Sequence, residues 1–142
     1  MEKKMDEIYE RTPKGPLPQK SLKEPKQWMD NKWEKLDNKL SRVAVECRQK
    51  LPYTTVGGRY DDLSEKTVYG WTNGFWPGLM WLMYIETKNP VYKETAEIAE
   101  NTLDRAFTTE FYECLNHDVG FSWDLSSGVQ YRLLGTMKSK IR

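Results

Sequence analysis

The segment Asn116–Phe121 contains the residues of this chain best suited to acid–base chemistry. Asp118 follows His117, the only histidine, at the predicted start of a helix. In one interpretation Asn116 or Asp118 caps this helix by accepting N–H bonds of its first turn, and His117 is an exposed loop residue. In the other, Asp118 faces a pocket walled by aromatic rings, where low polarity lets a carboxyl group keep a proton for general acid catalysis. The local pattern leaves both interpretations open.

A second segment, Tyr69–Gly78, concentrates aromatic rings near the start of another helix. Besides Tyr69 it holds three aromatic residues, three glycines and a proline, which together predict a shaped turn that presents rings at the helix N-terminus. Sugar rings are commonly bound by stacking on such a platform. The alternative is a hydrophobic staple that seats a buried helix.

Motifs of metal and nucleotide sites are missing from the sequence. It contains no GxGxxG, no P-loop and no HExxH, and its single histidine excludes a site that needs two imidazoles. Cys47 and Cys114 stand outside any CxxC spacing, which indicates two reduced thiols. We therefore expect no cofactor and no metal.

The charge balance argues against polyanionic partners. The 22 Lys and Arg residues nearly cancel the 21 Asp and Glu residues, so we expect neither nucleic-acid nor membrane binding. No apolar run approaches the roughly 18–20 residues that a membrane span needs, and Met1–Glu10 is charged where a signal peptide would be apolar. These features favour a cytoplasmic protein.

Four helices should position these residues. The segment 1–25 is a proline-rich lead-in, and the rest is a single all-α domain over residues 26–142. Residues 52–69 have no sustained period and predict a loop, with no convincing strand anywhere in the chain. In the third helix we expect Glu94, Glu97, Glu100 and Arg105 to face outward. The predicted helices span residues 26–50, 74–87, 92–107 and 119–134, the last stopped by Gly135. Four helices joined by loops suggest helical hairpins laid side by side, as in a toroid or a solenoid.

Three strings in fixed order resemble the first third of the unsaturated glucuronyl hydrolases, glycoside hydrolase family 88. They are WTNGFWPGLMWLMYIET (71–87), HDVGF (117–121) and SSGVQYRLLG (126–135). The resemblance covers roughly residues 28–135, and the ordered set is far more specific than any single string. It implies an (α/α)6 barrel, of which the four predicted helices would form the opening hairpins.

The resemblance also implies a reaction and its residues. The family acts on oligosaccharides whose non-reducing end is a Δ4,5-unsaturated uronic acid. A carboxyl group protonates C4 of the vinyl ether while water adds at C5, and the resulting hemiketal opens and releases the remaining sugar. Asp118 matches one of the two aspartates of the family. His117 lies beside it, and Trp71 or Trp76 would contact the sugar.

The second aspartate of the family, its general acid and base, would lie on a later helix, past the end of this chain. Twelve helices of about 15 residues need more chain than is present, so we expect an incomplete barrel that is inactive alone. Exposed apolar helix faces would then favour self-association or aggregation. Two alternatives remain: an unsaturated rhamnogalacturonyl hydrolase with the same barrel and chemistry, and a non-catalytic helical interaction module.

Overall fold

A computed structural model describes residues 25–65, 67–110 and 112–141. The chain divides into two compact units, residues 1–34 and 35–142. The predicted proline-rich lead-in lies outside the described residues, apart from Pro25. The described chain is mainly helical, so the all-α prediction is confirmed. No helix in these described ranges combines the length and the apolar character that crossing a membrane requires.

Helix α1 spans Pro25–Glu46, in agreement with the predicted amphipathic helix. Its last turns carry the apolar residues Val43 and Ala44 into the core of the second unit, and Cys47 follows them there. Polar contacts fix this part of α1 to a later helix. The Tyr92 hydroxyl donates to the Asp37 carboxylate at 2.6 Å, and burial together with this carboxylate raises the pKa of Tyr92 well above its usual range.

Two short strands interrupt the predicted loop. Strands β1 (Thr55–Val56) and β2 (Arg59–Tyr60) pair antiparallel around Gly57-Gly58. Both glycines have positive φ, 58° and 77°, which is the requirement of a two-residue hairpin turn. The prediction of an unstructured segment without strands is therefore wrong at this point. The paired glycines predict a loop, and in the structure they form the turn of a hairpin.

Two aspartates close the hairpin onto the end of α1. Asp61 Oδ1 accepts the backbone N–H groups of Tyr53 and Thr54, at 2.7 and 2.9 Å. Asp62 Oδ1 accepts those of Leu51 and Ser64, both at 3.0 Å. Burial alone raises the pKa of Asp62, but these N–H bonds outweigh it and leave the pKa below its usual value.

Helix α2 spans Phe75–Thr87, after a 3-10 turn at Trp71–Gly74. One side of it is buried in the core. The opposite side is not, and its exposed apolar residues recur at three- and four-residue intervals as a stripe of Phe75, Leu79, Leu82 and Ile85. The almost wholly apolar sequence of this helix predicts that most of its surface is buried. The prediction is wrong for this side, because among the described elements α2 makes most of its contacts with the helix that follows it.

Helix α3 spans Pro90–Arg105 and continues into a π-helical turn at Ala106–Glu110. Asn89 caps its start by accepting the N–H of Val91 at 3.1 Å, and Pro90 occupies the first position, where no N–H is needed. It packs against α2, and Ala96, Ala99 and Leu103 on its apolar side are buried. Ala106 and Phe107 in the π-helical turn are buried too, and the Phe107 ring lies 4.8 Å from that of Trp123.

Glu100 faces the core, which corrects the prediction that it faces solvent. Its side chain is only 1% exposed, and its carboxylate accepts the indole N–H of Trp81 at 2.7 Å. The hydrogen bond joins α2 to α3 at the centre of their interface. Spacing alone placed Glu100 with Glu94 and Glu97, but the indole of Trp81 supplies the donor that a buried carboxylate needs.

We expect Glu100→Ala to lower the free energy of unfolding by about 1–3 kcal/mol, because it leaves the buried Trp81 N–H without this acceptor. The matched control is Glu97→Ala, on the same helix, whose only described ion pair is an exposed one with Lys93 at 4.0 Å. The control should change the free energy by less than about 0.5 kcal/mol. Urea unfolding of both variants measures the difference, and equal losses would contradict the structural role assigned to Glu100.

The predicted fourth helix is two helices, α4 (Val119–Leu125) and α5 (Ser127–Leu134). The break is at Ser126, whose φ of −107° and ψ of −91° are not helical, and whose hydroxyl donates to the Ser122 carbonyl. Gly135 ends α5 in the left-handed conformation, with φ 61°, as predicted. A short helix α6 (Met137–Ile141) follows and packs on α5.

Candidate active site

The turn before α4 places Asp118 at the helix start without using its carboxylate as a cap. The Asn116 side chain accepts the backbone N–H of Asp118 at 2.8 Å. Asp118 is the N-cap residue, yet its own side chain makes no capping hydrogen bond. Asp118 Oδ1 instead lies 3.4 Å from His117 Nε2. The interpretation of Asp118 as a side-chain cap therefore does not describe this structure.

His117 and Asp118 differ in exposure. The imidazole is 90% exposed, as expected for a loop residue, and the Asp118 carboxylate is 32% exposed. The pair thus presents one accessible titratable ring and one partly shielded carboxylate at the same helix start. Such a carboxylate is reachable by a ligand, which acid–base catalysis requires.

Three aromatic side chains meet in an exposed cluster next to this turn. The ring of Trp71 makes edge-on contacts with Phe75, at a centroid distance of 5.9 Å, and with Phe121, at 6.1 Å. Each of the three is about half exposed, at 49%, 51% and 53%. The three residues lie in the 3-10 turn, at the start of α2 and in the first turn of α4. The cluster therefore brings together the segments 69–78 and 116–121.

The two tryptophans predicted as sugar contacts lie in different environments. Trp71 belongs to the exposed cluster. Trp76 is only 8% exposed, and its indole N–H has no hydrogen-bond partner among the residues that the structure describes. An external sugar would reach Trp71 directly, whereas Trp76 packs into the core.

A cavity of about 450 Å³ opens beside the aromatic cluster. We call it the Phe75–Phe121 cavity. Its wall includes His117, the partner of Asp118, together with a carboxylate, Asp124. The lining residues are Phe75, His117, Gly120, Phe121, Asp124 and Leu125. Aromatic walls with a few polar groups are typical of sites that bind small ligands.

Asp124 is a site candidate that the sequence reasoning missed. It follows Phe121 by three residues, so both lie on one face of α4. That spacing was available in the sequence. A single continuous helix over residues 119–134, as predicted, gives Asp124 no distinguishing position.

Two glycines of α2 and its preceding turn allow α4 to approach so closely. A Cβ added to Gly74 would lie 2.5 Å from Ser122 Cα, and one added to Gly78 would lie 2.6 Å from the Leu125 carbonyl oxygen. The facing Ser122 is small and buried. The glycines of the WTNGFWPG string therefore set the distance between Trp71, Phe75 and Phe121.

The turn that carries Trp71 is itself held by an amide. The Asn73 side chain donates to the carbonyl oxygens of Thr67 and Val68, at 2.8 and 2.9 Å. Asn73 is 4% exposed, so these bonds are shielded from water. The aromatic cluster thus rests on a fixed backbone. Across residues 25–65, 67–110 and 112–141, no group of three or more His, Cys, Asp or Glu side chains is arranged to hold a metal ion.

Comparison with known proteins agrees with the motifs. The chain is 33% identical over 86 residues to the unsaturated glucuronyl hydrolase of Bacillus sp. (strain GL1), which covers 58% of this chain and 21% of the relative. It is 35% identical over 71 residues to the unsaturated chondroitin disaccharide hydrolase of Streptococcus pyogenes serotype M1, which covers 49% of this chain and 17% of the relative. The chain thus spans about a fifth of the length of these relatives.

No protein-family profile matches the chain. No solved structure matches it either. The resemblance therefore depends on the two curated relatives and on the strings at residues 71–87, 117–121 and 126–135. This chain is related in sequence to the unsaturated glucuronyl hydrolases, as its motifs predict.

Proposed function

We propose that this chain contributes to a glycoside hydrolase that acts on oligosaccharides with a non-reducing-end Δ4,5-unsaturated uronic acid. One observation carries the proposal: the Asp118 carboxylate makes no capping bond, and its partner His117 lines a cavity walled by exposed aromatic rings. The names of the two relatives, which both describe hydrolases of unsaturated sugars, support it.

In this proposal the aromatic cluster binds the sugar and Asp118 acts on it. Trp71 offers an exposed ring face or edge to the unsaturated ring, and Trp76 supports the core beneath it. The reaction adds a proton to C4 and the oxygen of water to C5. The hemiketal formed at C5 then opens, and the bond to the remaining sugar breaks as that sugar leaves. His117 is placed to contact the substrate and to hold the orientation of the Asp118 carboxylate.

We further propose that turnover needs a second carboxylate besides those described here. Asp124, the carboxylate in the cavity wall, is already in an ion pair with Arg132 at 3.2 Å. The guanidinium of Arg132 therefore already engages this carboxylate. Within the proposal, residues 25–141 therefore bind the sugar and present Asp118, and the second aspartate implied by the family lies elsewhere.

A titration with a Δ4,5-unsaturated uronyl disaccharide tests the binding step. In protein NMR spectra we expect the largest changes at the Trp71 indole N–H and at the backbone N–H groups of Gly120 and Phe121. Trp71→Ala should weaken binding by about tenfold or more, as loss of a stacked aromatic anchor does. Trp28→Ala is the matched control, since Trp28 is also exposed but lies in the first unit. Equal weakening by both variants, or no change at Gly120 and Phe121, would contradict the proposed site.

A second candidate is a helical interaction module, favoured by the apolar stripe Phe75, Leu79, Leu82 and Ile85 on α2. Such a module would bind protein through this stripe and would ignore the disaccharide. In the titration it predicts no sugar-dependent change. It also predicts that light scattering finds a monodisperse chain, whereas an incomplete barrel should self-associate through its exposed apolar faces.

A further inference from the structure

Asp124 is held by Arg132 across the break between α4 and α5. The Arg132 guanidinium donates through one nitrogen to the backbone carbonyl of Asp124 at 3.1 Å and to its carboxylate at 3.2 Å. Both side chains are largely exposed, 62% for Arg132 and 71% for Asp124. The ion pair therefore lies at the surface, and Asp124 is also one of the residues that line the cavity.

The fold explains why these two residues meet. The break at Ser126 redirects the chain, so Arg132, eight positions after Asp124, reaches the last turn of α4. The final carbonyl groups of a helix lack partners within it, and a cationic side chain is favourable there. Gly128 lies directly against the pair, because a Cβ at that position would lie at contact distance, 3.4 Å from Asp124 Oδ1 and 3.5 Å from Arg132 Nη2.

The pair matters more for the charge of the cavity than for stability. Exposed ion pairs contribute little to the free energy of folding. Asp124, however, lines the cavity, and Asp118 lies next to His117, which lines it too. Two uncompensated carboxylates would repel an anion, and the guanidinium of Arg132 offsets one of them.

We propose that Arg132 is a positioning and specificity-determining residue that lets the Phe75–Phe121 cavity accept anionic ligands. It does so by holding and neutralising Asp124. The inference rests on the proposed function, because the substrate proposed there carries a uronate carboxylate. Arg132 itself need not touch the ligand, so its effect should appear as a change in preference for charge.

The local potential can be measured without any sugar. An anionic and a cationic nitroxide of similar size are added in turn. The paramagnetic enhancement of the relaxation rate of the Gly120 and Phe121 amide protons is measured with each. In Arg132→Gln we expect the ratio of anionic to cationic relaxation at these protons to fall by roughly twofold, since one positive charge is lost nearby. Arg132→Lys, which keeps the charge, and the double variant Arg132→Gln/Asp124→Asn, which removes both charges, should return the ratio to near the wild-type value. Arg42→Gln is the matched control, as Arg42 is exposed and bonds only its own helix, at the Asn38 carbonyl.

Ligand preference is then measured with glucuronate and with neutral methyl glucoside. Arg132→Gln should weaken glucuronate binding by roughly two- to fivefold, the size expected for one exposed charge pair, and leave the neutral glycoside unchanged. The double variant should recover glucuronate binding. Equal weakening for both sugars would show that Arg132 only stabilises the helix junction, and it would overturn the inference.

The two measurements separate this inference from the proposed function. An unchanged nitroxide ratio in Arg132→Gln overturns the role of Arg132 whatever the sugars do. A changed ratio in a protein that binds neither glucuronate nor the unsaturated disaccharide supports the electrostatic role of Arg132 and contradicts the proposed function.

Discussion

Gly74→Ala is expected to destabilise the fold by about 1–3 kcal/mol or more, because the core between α2 and α4 has no space for a methyl group. The added Cβ would lie 2.5 Å from Ser122 Cα and 2.6 Å from the Ser122 carbonyl oxygen. These are backbone atoms, so α4 as a whole would have to move. The displacement would separate Trp71 from Phe121, and we expect sugar binding to fall along with stability.

The matched control for this substitution lies on α4 itself. Gly120→Ala adds the same methyl group where nothing lies within 4 Å. Since alanine restricts the unfolded chain more than glycine, this variant should be neutral or more stable by up to about 1 kcal/mol. Denaturant unfolding of the two variants gives the comparison. A Gly74→Ala protein as stable as wild type would contradict the close approach of the two helices.

Asp118→Asn is expected to reduce turnover by about 100- to 10,000-fold, the loss that removal of a positioned catalytic carboxylate commonly causes. Asparagine keeps the shape of the side chain and removes its negative charge and its capacity to exchange a proton. Because the Asp118 side chain makes no capping bond, the free energy of unfolding should change by less than about 0.5 kcal/mol. The rate is measured with a Δ4,5-unsaturated disaccharide in a protein whose wild-type form is active.

Turnover near the wild-type rate in Asp118→Asn would remove Asp118 from the chemical step. A large loss of stability would have a different meaning, since it would indicate that the carboxylate supports the helix start after all. Measuring both quantities on the same preparation separates the two results.

Helix positions followed from the sequence where strong local signals occur. Pro77 in a first turn and Gly135 at a helix end each marked an element that the structure contains. Asn89-Pro90 marked the end of the helix before it, and in the structure it also caps the start of α3. These residues act through their own backbone preferences, so their effect can be predicted from the sequence without knowledge of tertiary contacts. The same holds for the amphipathic character of α1.

Features that depend on contacts between residues far apart in the chain could not be predicted from the local sequence. Glu100 is buried because Trp81, 19 residues away, donates to it, and the spacing of α3 alone assigned it to the solvent side. The break at Ser126 likewise divides a stretch that reads as one helix, and it creates the position from which Arg132 reaches Asp124. Tertiary contacts decide both cases, so local pattern was not sufficient.

Motif and structure agree best at the site itself. The WTNGFWPG and HDVGF strings, which begin 46 residues apart at Trp71 and His117, meet in the cluster of Trp71, Phe75 and Phe121. Their order in the chain indicated the family, and their contact in the fold explains why glycines recur between the aromatic residues. The position of Asp124 in the cavity wall could have been found from its spacing to Phe121.

The most direct test of the central claim is the rate at which the ultraviolet absorbance of a Δ4,5-unsaturated uronyl disaccharide disappears. It should be measured with this chain of 142 residues and with the same reading frame extended through any coding sequence that follows. The proposal predicts loss of absorbance with the extended protein, strong slowing by Asp118→Asn, and no turnover by the shorter chain. A folded chain and a folded extended protein that both leave the disaccharide intact would contradict it.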